Sequence, residues 1–192
     1  MLSAFTEEVI FTLDFAEEST SKTIEEAITN FTNSYQEISK EFKDEQPWEA
    51  SVTAEIIFED EFVLSTEVTS YLFTGGAHGL QRKNYMNFDK KLGTEIDFVA
   101  LLKDENTFTA FLEKRFRKQY KIPETAGINA SGFMFENDIF KLPEQIGINA
   151  LGVICTYNTY EIASYVDGEI NIQLSFSEIA PYLKTPLQNP NL

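Results

Sequence analysis

The sequence predicts an α+β fold, with antiparallel sheet and amphipathic helices packed on one of its faces, and three observations carry that prediction. Two consecutive segments alternate apolar and polar residues across a short acidic turn, the pattern of antiparallel strands with one wet face. Two other segments repeat apolar residues at steps of three and four, as surface helices do. Finally, 43% of the 192 residues are hydrophobic and 14% aromatic, which gives the chain enough burial to offset its ordering entropy.

Taken in order, Val9 to Phe15 is predicted as a first strand, with Val9, Phe11, Leu13 and Phe15 on one side. Ile24, Ala27, Ile28, Phe31, Tyr35, Ile38 and Phe42 then share one face of a helix. Thr23 and Glu26 form a capping box at its start. Trp48 to Phe58 and Phe62 to Leu72 are the alternating strands, joined through Glu59-Asp60-Glu61. A glycine-rich turn, Gly75 to Gly79, leads to a strand over Leu80 to Asp89, and Lys90-Lys91-Leu92-Gly93 turns it. Asp97 caps a short helix running to Leu102.

Phe108, Phe111, Leu112, Phe116 and Tyr120 line a second amphipathic helix. Its outer face holds Lys114, Arg115, Arg117, Lys118 and Lys121, read as a solvated face beside a carboxylate-rich neighbour. Residues 122–140 are loop-like, with a short apolar piece at Phe133-Met134-Phe135. Ile146 to Tyr157 is predicted as one strand. Val166-Asp167-Gly168-Glu169 has the residues of a tight hairpin turn feeding Ile170 to Leu174. A short helix over Ser177 to Leu183 closes the domain, and the tail with Pro186 and Pro190 is expected to be loose. Phe31, Ile56, Val68, Phe111, Ile154 and Ile172 are the expected core positions.

Charge and composition exclude several functions. Fifteen Lys and Arg oppose 31 Asp and Glu, a formal net charge of −16. Nucleic-acid backbones need cationic neutralisation, and anionic lipid surfaces repel such a chain. A basic protein would be attracted. No apolar run approaches the ~20 residues that span a bilayer, so membrane insertion is not expected. Met1 to Glu8 lacks the basic and apolar regions of a signal peptide. That leaves either a cytoplasmic location or an export segment lying outside this sequence. Cys155, the single cysteine, permits no intrachain disulfide and reads as a small core residue.

With one histidine, His78, and one cysteine, neither a zinc site nor a triad has its usual complement, and no catalytic residues, metal or cofactor are expected. Gly75-Gly76-Ala77-His78-Gly79 lacks the order of a phosphate loop. It reads as a turn, or as a loop presenting backbone amides and an imidazole to a partner through Gly75, Gly76, His78 and Gly79. Tyr157-Asn158-Thr159-Tyr160-Glu161-Ile162-Ala163-Ser164-Tyr165 reads as a strand edge packing its rings. Alternatively it is a recognition surface built from Tyr157, Asn158, Tyr160, Glu161 and Tyr165.

Two signatures carry a family resemblance. Gly75 to Gly79 with Tyr85-Met86-Asn87-Phe88-Asp89 and the turn into Ile96-Asp97-Phe98 resembles the C-terminal domain of the anti-sigma factor RsiV. That domain, of unknown function, also stands beside the catalytic domain of the peptidoglycan deacetylase PdaC. Tyr157 to Tyr165, with Gly168 and the Ile170 to Leu174 strand, is similar to the second signature of the family, though Thr159 and Ser164 stand where it commonly has proline. The resemblance implies residues 62–184 as the RsiV-like domain, 1–61 as its companion portion packed with it, and 185–192 as tail. It further implies an extracytoplasmic location, exported or lipid-anchored, and a non-enzymatic binding role. The expected partner is a basic protein such as a lysozyme, or a cell-wall glycan; a cryptic cell-wall hydrolase or an accessory domain of a peptidoglycan-modifying enzyme is the alternative.

Overall fold

The computed structural model describes residues 2–15, 20–42, 46–185 and 187. Among them are five α helices and two three-stranded antiparallel sheets, the α+β architecture predicted. The chain divides into two units, Met1–Ala54 with Val68–Arg82, and Glu55–Glu67 with Lys83–Leu192. The first sheet has the order β1 (Glu49–Glu59), β2 (Val63–Phe73), β3 (Leu80–Asp89). The expectation of a loose tail falls on Pro186 and residues 188–192, outside the described residues.

In the first unit, α1 (Leu2–Asp14) occupies the stretch where a strand was expected over Val9 to Phe15. The alternating apolar positions there also satisfy a helical period. Val9, Ile10 and Leu13 turn inward, while Phe11 and Phe15 are exposed. A short apolar run fits both periods, and packing against α2 (Ile24–Glu41) selects the helix. Buried Thr12 satisfies its hydroxyl by donating to the Glu8 carbonyl at 2.9 Å.

Thr23 caps α2 by accepting from the Glu26 amide at 3.2 Å, but the Glu26 carboxylate accepts from the amide of Lys22, not of Thr23. On its inner face Ala27 is fully buried, whereas Ile28 and Phe42 are exposed. Trp48 gathers the aromatics of this unit, its ring 5.5 Å from Phe31, 5.7 Å from Phe15 and 5.9 Å from Tyr35.

The second unit is organised by β4 (Gln145–Asn149), β5 (Gly152–Tyr157) and β6 (Ile170–Ser175), in that order. The single strand expected over Ile146 to Tyr157 is therefore a hairpin. It breaks because the Asn149 side chain accepts from the Leu151 amide at 2.9 Å, closing a side-chain turn at Ala150-Leu151. The tight hairpin expected at Val166 to Glu169 is absent as well. Tyr165–Asp167 forms a 3-10 turn whose Ser164 and Asp167 cap each other, and the connection from β5 to β6 takes in all of residues 158–169.

The register explains the burial of this sheet. Ile146 pairs with Cys155 and Cys155 with Ile172; Ile148 pairs with Val153 and Val153 with Leu174. All six point to the core and are buried. Ile154, expected in the core, falls on the opposite face between Gly147 and Gln173 and is only half-buried.

Against the core face packs α4 (Glu105–Tyr120), which buries Phe108, Leu112 and Phe116 at helical spacing and is capped by Asp104. The Phe116 ring lies within 4.7 to 6.2 Å of Tyr120, Phe133, Phe135, Phe140 and Tyr157. Phe111, also expected as core, is half-buried and stacks on Tyr182 at 4.6 Å. Of the five basic residues read on the outer face of this helix, Arg117 forms an ion pair with Glu113 of the same helix at 2.8 Å and Arg115 one with Glu178 at 3.3 Å. Val68 and Ile172 are buried as expected, Phe31 is partly so, and Ile56 is 62% exposed on edge strand β1.

A buried polar seam ties the lower parts of β2 and β3 to β4 and β5 within this unit. Ser65 donates to the Asn87 carbonyl oxygen at 2.8 Å, Asn87 donates to the Ile146 carbonyl at 2.9 Å, and the Ile148 amide donates to Ser65 at 3.1 Å. Gln145 accepts from the Tyr85 amide at 2.9 Å. Asn158 takes both main-chain groups of Lys83, accepting from its amide at 2.8 Å and donating to its carbonyl at 3.0 Å.

The Lys83 ammonium lies 3.4 Å from Glu67 and 3.2 Å from Glu169. Burial lowers its pKa, but the two carboxylates outweigh that and leave it above the ordinary lysine range. Burial acts in the opposite direction on the Tyr85 phenol, pushing its pKa up, partly offset by its hydrogen bond with Thr156.

Two outcomes follow for stability. Phe116→Ala should lower the unfolding free energy by ~3–5 kcal/mol, as large aromatic deletions in cores do. Ile56→Ala should stay within about 0.5 kcal/mol of wild type; urea denaturation of both checks the pair. For Lys83 the folded pKa is raised, so its contribution is complete below the unfolded value of about 10.4 and is lost as pH rises through the folded pKa. Denaturation series in the alkaline range should therefore decline more steeply for wild type than for Lys83→Met, and equal slopes would contradict the pairing.

Candidate functional site

The glycine loop belongs to the first unit, where it joins β2 to β3. Gly75 and Gly76 have φ of 103° and 88°, values that side-chain-bearing residues rarely adopt. Gly79 is buried, and a Cβ placed there would meet the Tyr71 ring at 2.4 Å. His78 is exposed, with Nδ1 3.3 Å from the Gly79 carbonyl oxygen. The loop thus has the geometry of a strand-connecting turn seated on an aromatic ring.

The tyrosine stretch belongs to the second unit. Tyr157 is 1% exposed; its ring lies in the aromatic core and its hydroxyl donates to the Lys141 carbonyl. Burial drives its phenol pKa well up, as it does the Cys155 thiol, so Cys155 is no candidate nucleophile. Asn158 is committed to Lys83, and its own amide donates to Glu161 at 2.8 Å. Tyr160, with φ of 71°, and Tyr165 are exposed, their rings 5.7 Å apart. Of the nine candidate residues, then, Tyr160, Glu161 and Tyr165 form one exposed group, Tyr157 is core, and Asn158 is a strand clamp.

Two cavities of the second unit were not singled out by the sequence. A cleft of about 590 Å³ is lined by Glu95, Asp97, Glu105 and Glu144, together with Tyr85 and Phe98, and by no lysine, arginine or histidine. Asp97 is held there by its cap of α3 (Phe98–Leu101), accepting from the Val99 amide at 3.0 Å. A pocket of about 410 Å³ has Tyr120 and Phe133 as aromatic walls and Asp167 and Glu169 as acidic ones. Burial raises the Tyr120 phenol pKa, partly countered by the Gln119 amide. Both cavities suit a cationic group. Among the described residues no set of three or more His, Cys, Asp and Glu could hold a metal ion, and no helix is long and apolar enough to cross a membrane.

The sequence held only indirect signals for these cavities. Asp97 was legible as a cap, Tyr120 as a helix-face residue, Phe133 as part of a short apolar piece, and Asp167 with Glu169 as a turn. Nothing local placed Tyr120, Phe133 and Glu169 around one space.

Comparison with known proteins places these elements. Residues 13–81 match the family model described as deacetylase PdaC, a span that includes Gly75 to Gly79. Residues 98–177 match the model described as protein of unknown function DUF3298, a span that includes Tyr157 to Tyr165. Tyr85 to Asp89 lies between the two. Among solved structures, a DUF3298 family protein from Pseudomonas aeruginosa PAO1 is 20% identical with a TM-score of 0.57, over 78% of this chain and 69% of that one. A member of the same family from Bacteroides fragilis NCTC 9343 is 15% identical with a TM-score of 0.70, over 94% of this chain and 77% of that one. At such identities the likeness is one of fold. No curated protein matches the sequence. The two models indicate an uncharacterised family associated with the cell envelope. The chain thus resembles the RsiV C-terminal-like domain with its companion: a DUF3298 segment over residues 98–177, preceded by a PdaC-type segment over 13–81.

Proposed function

We propose that this chain is a non-enzymatic ligand-binding module of an exported or lipid-anchored bacterial cell-envelope protein, and that its ligand is a basic protein of the lysozyme kind. The observation that carries the reading is the cleft lined by Glu95, Asp97, Glu105 and Glu144 with no basic side chain among its lining residues. Four carboxylates on one concavity focus a negative potential and favour a cationic visitor. The net charge of −16 extends that field over the whole molecule, and the RsiV-like resemblance implies recognition of such a partner. The deacetylase named by the PdaC model is not carried over. The matched span holds His78 as its one histidine and has no cysteine, which supports binding over metal-dependent hydrolysis.

The test is a calorimetric titration of the full chain with a lysozyme and with an acidic protein of similar size, at several salt concentrations. Lysozyme should bind, and its affinity should fall steeply as the Debye length shortens to about 8 Å near physiological ionic strength. Glu95→Gln combined with Glu144→Gln should weaken binding about three- to tenfold, the scale of two partly exposed charge contacts. Absent or salt-insensitive lysozyme binding would refute the partner class. Release of peptidoglycan fragments by the wild-type chain, abolished in a folded His78→Ala variant, would replace the binding role with a hydrolytic one.

A further inference from the structure

We infer that the pocket walled by Tyr120 and Phe133 is the socket for a single cationic side chain, an arginine or lysine, of the basic partner; this deepens the binding reading and rests on it. The pocket joins three features that an ammonium or guanidinium group requires. The first is an aromatic wall that is already rigid. Tyr120 and Phe133 meet edge to face at 4.9 Å, and buried Phe116 supports both at 4.7 Å. Gln119 fixes the wall from outside, donating both to the Tyr120 hydroxyl at 3.1 Å and to the Asn171 carbonyl at 2.8 Å. A cation resting on such faces is attracted by the ring quadrupole, and neither ring has to be ordered on binding.

The second feature is a pair of carboxylates with unused acceptor capacity. Asp167 commits Oδ2 to the amide and hydroxyl of Ser164, leaving Oδ1 without a hydrogen bond among the described residues. Glu169 commits Oε1 to Asn171 and Lys83, leaving Oε2 in the same condition. The third is the charge that remains once internal pairing is counted. Asp167 and Glu169 line the pocket, no lysine, arginine or histidine is among its lining residues, and the cation that Glu169 meets is Lys83, which it shares with Glu67. A neutral glycan would use the ring faces and gain little from that charge, and an anionic one would be repelled. The chemistry therefore favours a cation over a sugar.

Titration of the isotope-labelled full chain with N-acetyl-arginine amide, followed through the aromatic and side-chain resonances, tests this. N,N′-diacetylchitobiose serves as the neutral sugar. The arginine amide should shift Tyr120 and Phe133 saturably. Glu169→Gln with Asp167→Asn should weaken that response at least about fivefold, at an unfolding midpoint that confirms the variant is folded. The sugar should leave these signals in place. If the amide moves only resonances around Glu95 and Glu144, or moves none while lysozyme still binds, the socket is disproved and the basic-partner reading stands. If the sugar shifts Tyr120 and Phe133, the choice of a cation is overturned. Filling of the pocket by the amide without any lysozyme binding would support the socket and sink the partner class instead.

Discussion

The hydrogen-bonded pair of Ser65 and Asn87 is the constraint on which the second unit depends. Both side chains are buried, and between them they serve the amide of Ile148 and the carbonyl of Ile146 on the outer edge of β4. An unpaired buried amide or carbonyl costs about 1–3 kcal/mol, so these bonds matter more for what their loss would expose than for their own strength. They also remove ambiguity. A hydrophobic contact between two strand pairs tolerates sliding, whereas an asparagine that must meet one carbonyl admits one register. Gln145 and Asn158 extend the same device along β3. Once that seam is set, Lys83 stands between Glu67 and Glu169, and the acidic walls of both cavities take their places.

The aromatic hub around Phe116 does for the core face what the seam does for the polar one. Five rings surround it, drawn from α4, residues 133–140 and the end of β5. Rings of this size contribute a large buried area and hold preferred edge-to-face geometries. A loop that supplies Phe133 and Phe135 is thereby pinned without regular secondary structure of its own. Tyr157 is drawn inward by the same packing, which is why a tyrosine in a stretch rich in polar residues is almost wholly shielded from solvent. The socket proposed at Tyr120 and Phe133 is the outward side of this hub, so its rigidity is a by-product of core packing.

The strong negative charge has a structured component. Several positive groups in the second unit are paired internally: Arg117 with Glu113, Arg115 with Glu178, Lys83 with Glu67 and Glu169. Carboxylates exceed these partners, and six of them line the two cavities: Glu95, Asp97, Glu105 and Glu144 in one, Asp167 and Glu169 in the other. The binding role proposed above draws on these two concavities, where carboxylates of one sign gather.

By itself the sequence determined whatever depends on neighbours along the chain. Thr23 and Asp97 were legible as caps, β3 as a strand over Leu80 to Asp89, Cys155 as a core residue, and Lys90 to Gly93 as a turn, because each follows from contacts a few residues away. Where local periods were ambiguous, tertiary packing decided. Val9 to Phe15 became helix against α2, and Ile146 to Tyr157 broke at the turn closed by Asn149. Ile56 stayed exposed on β1, since alternation separates the two faces of a strand without saying which of them is covered. The grouping of candidate residues was least legible of all. Asn158 clamps Lys83 across 75 positions of sequence, and Tyr120, Phe133 and Glu169 share a pocket only because Phe116 and Gln119 hold their elements together. Such contacts are set by which surfaces exclude water from one another, and periodicity along a chain records that a surface is apolar without recording what it meets.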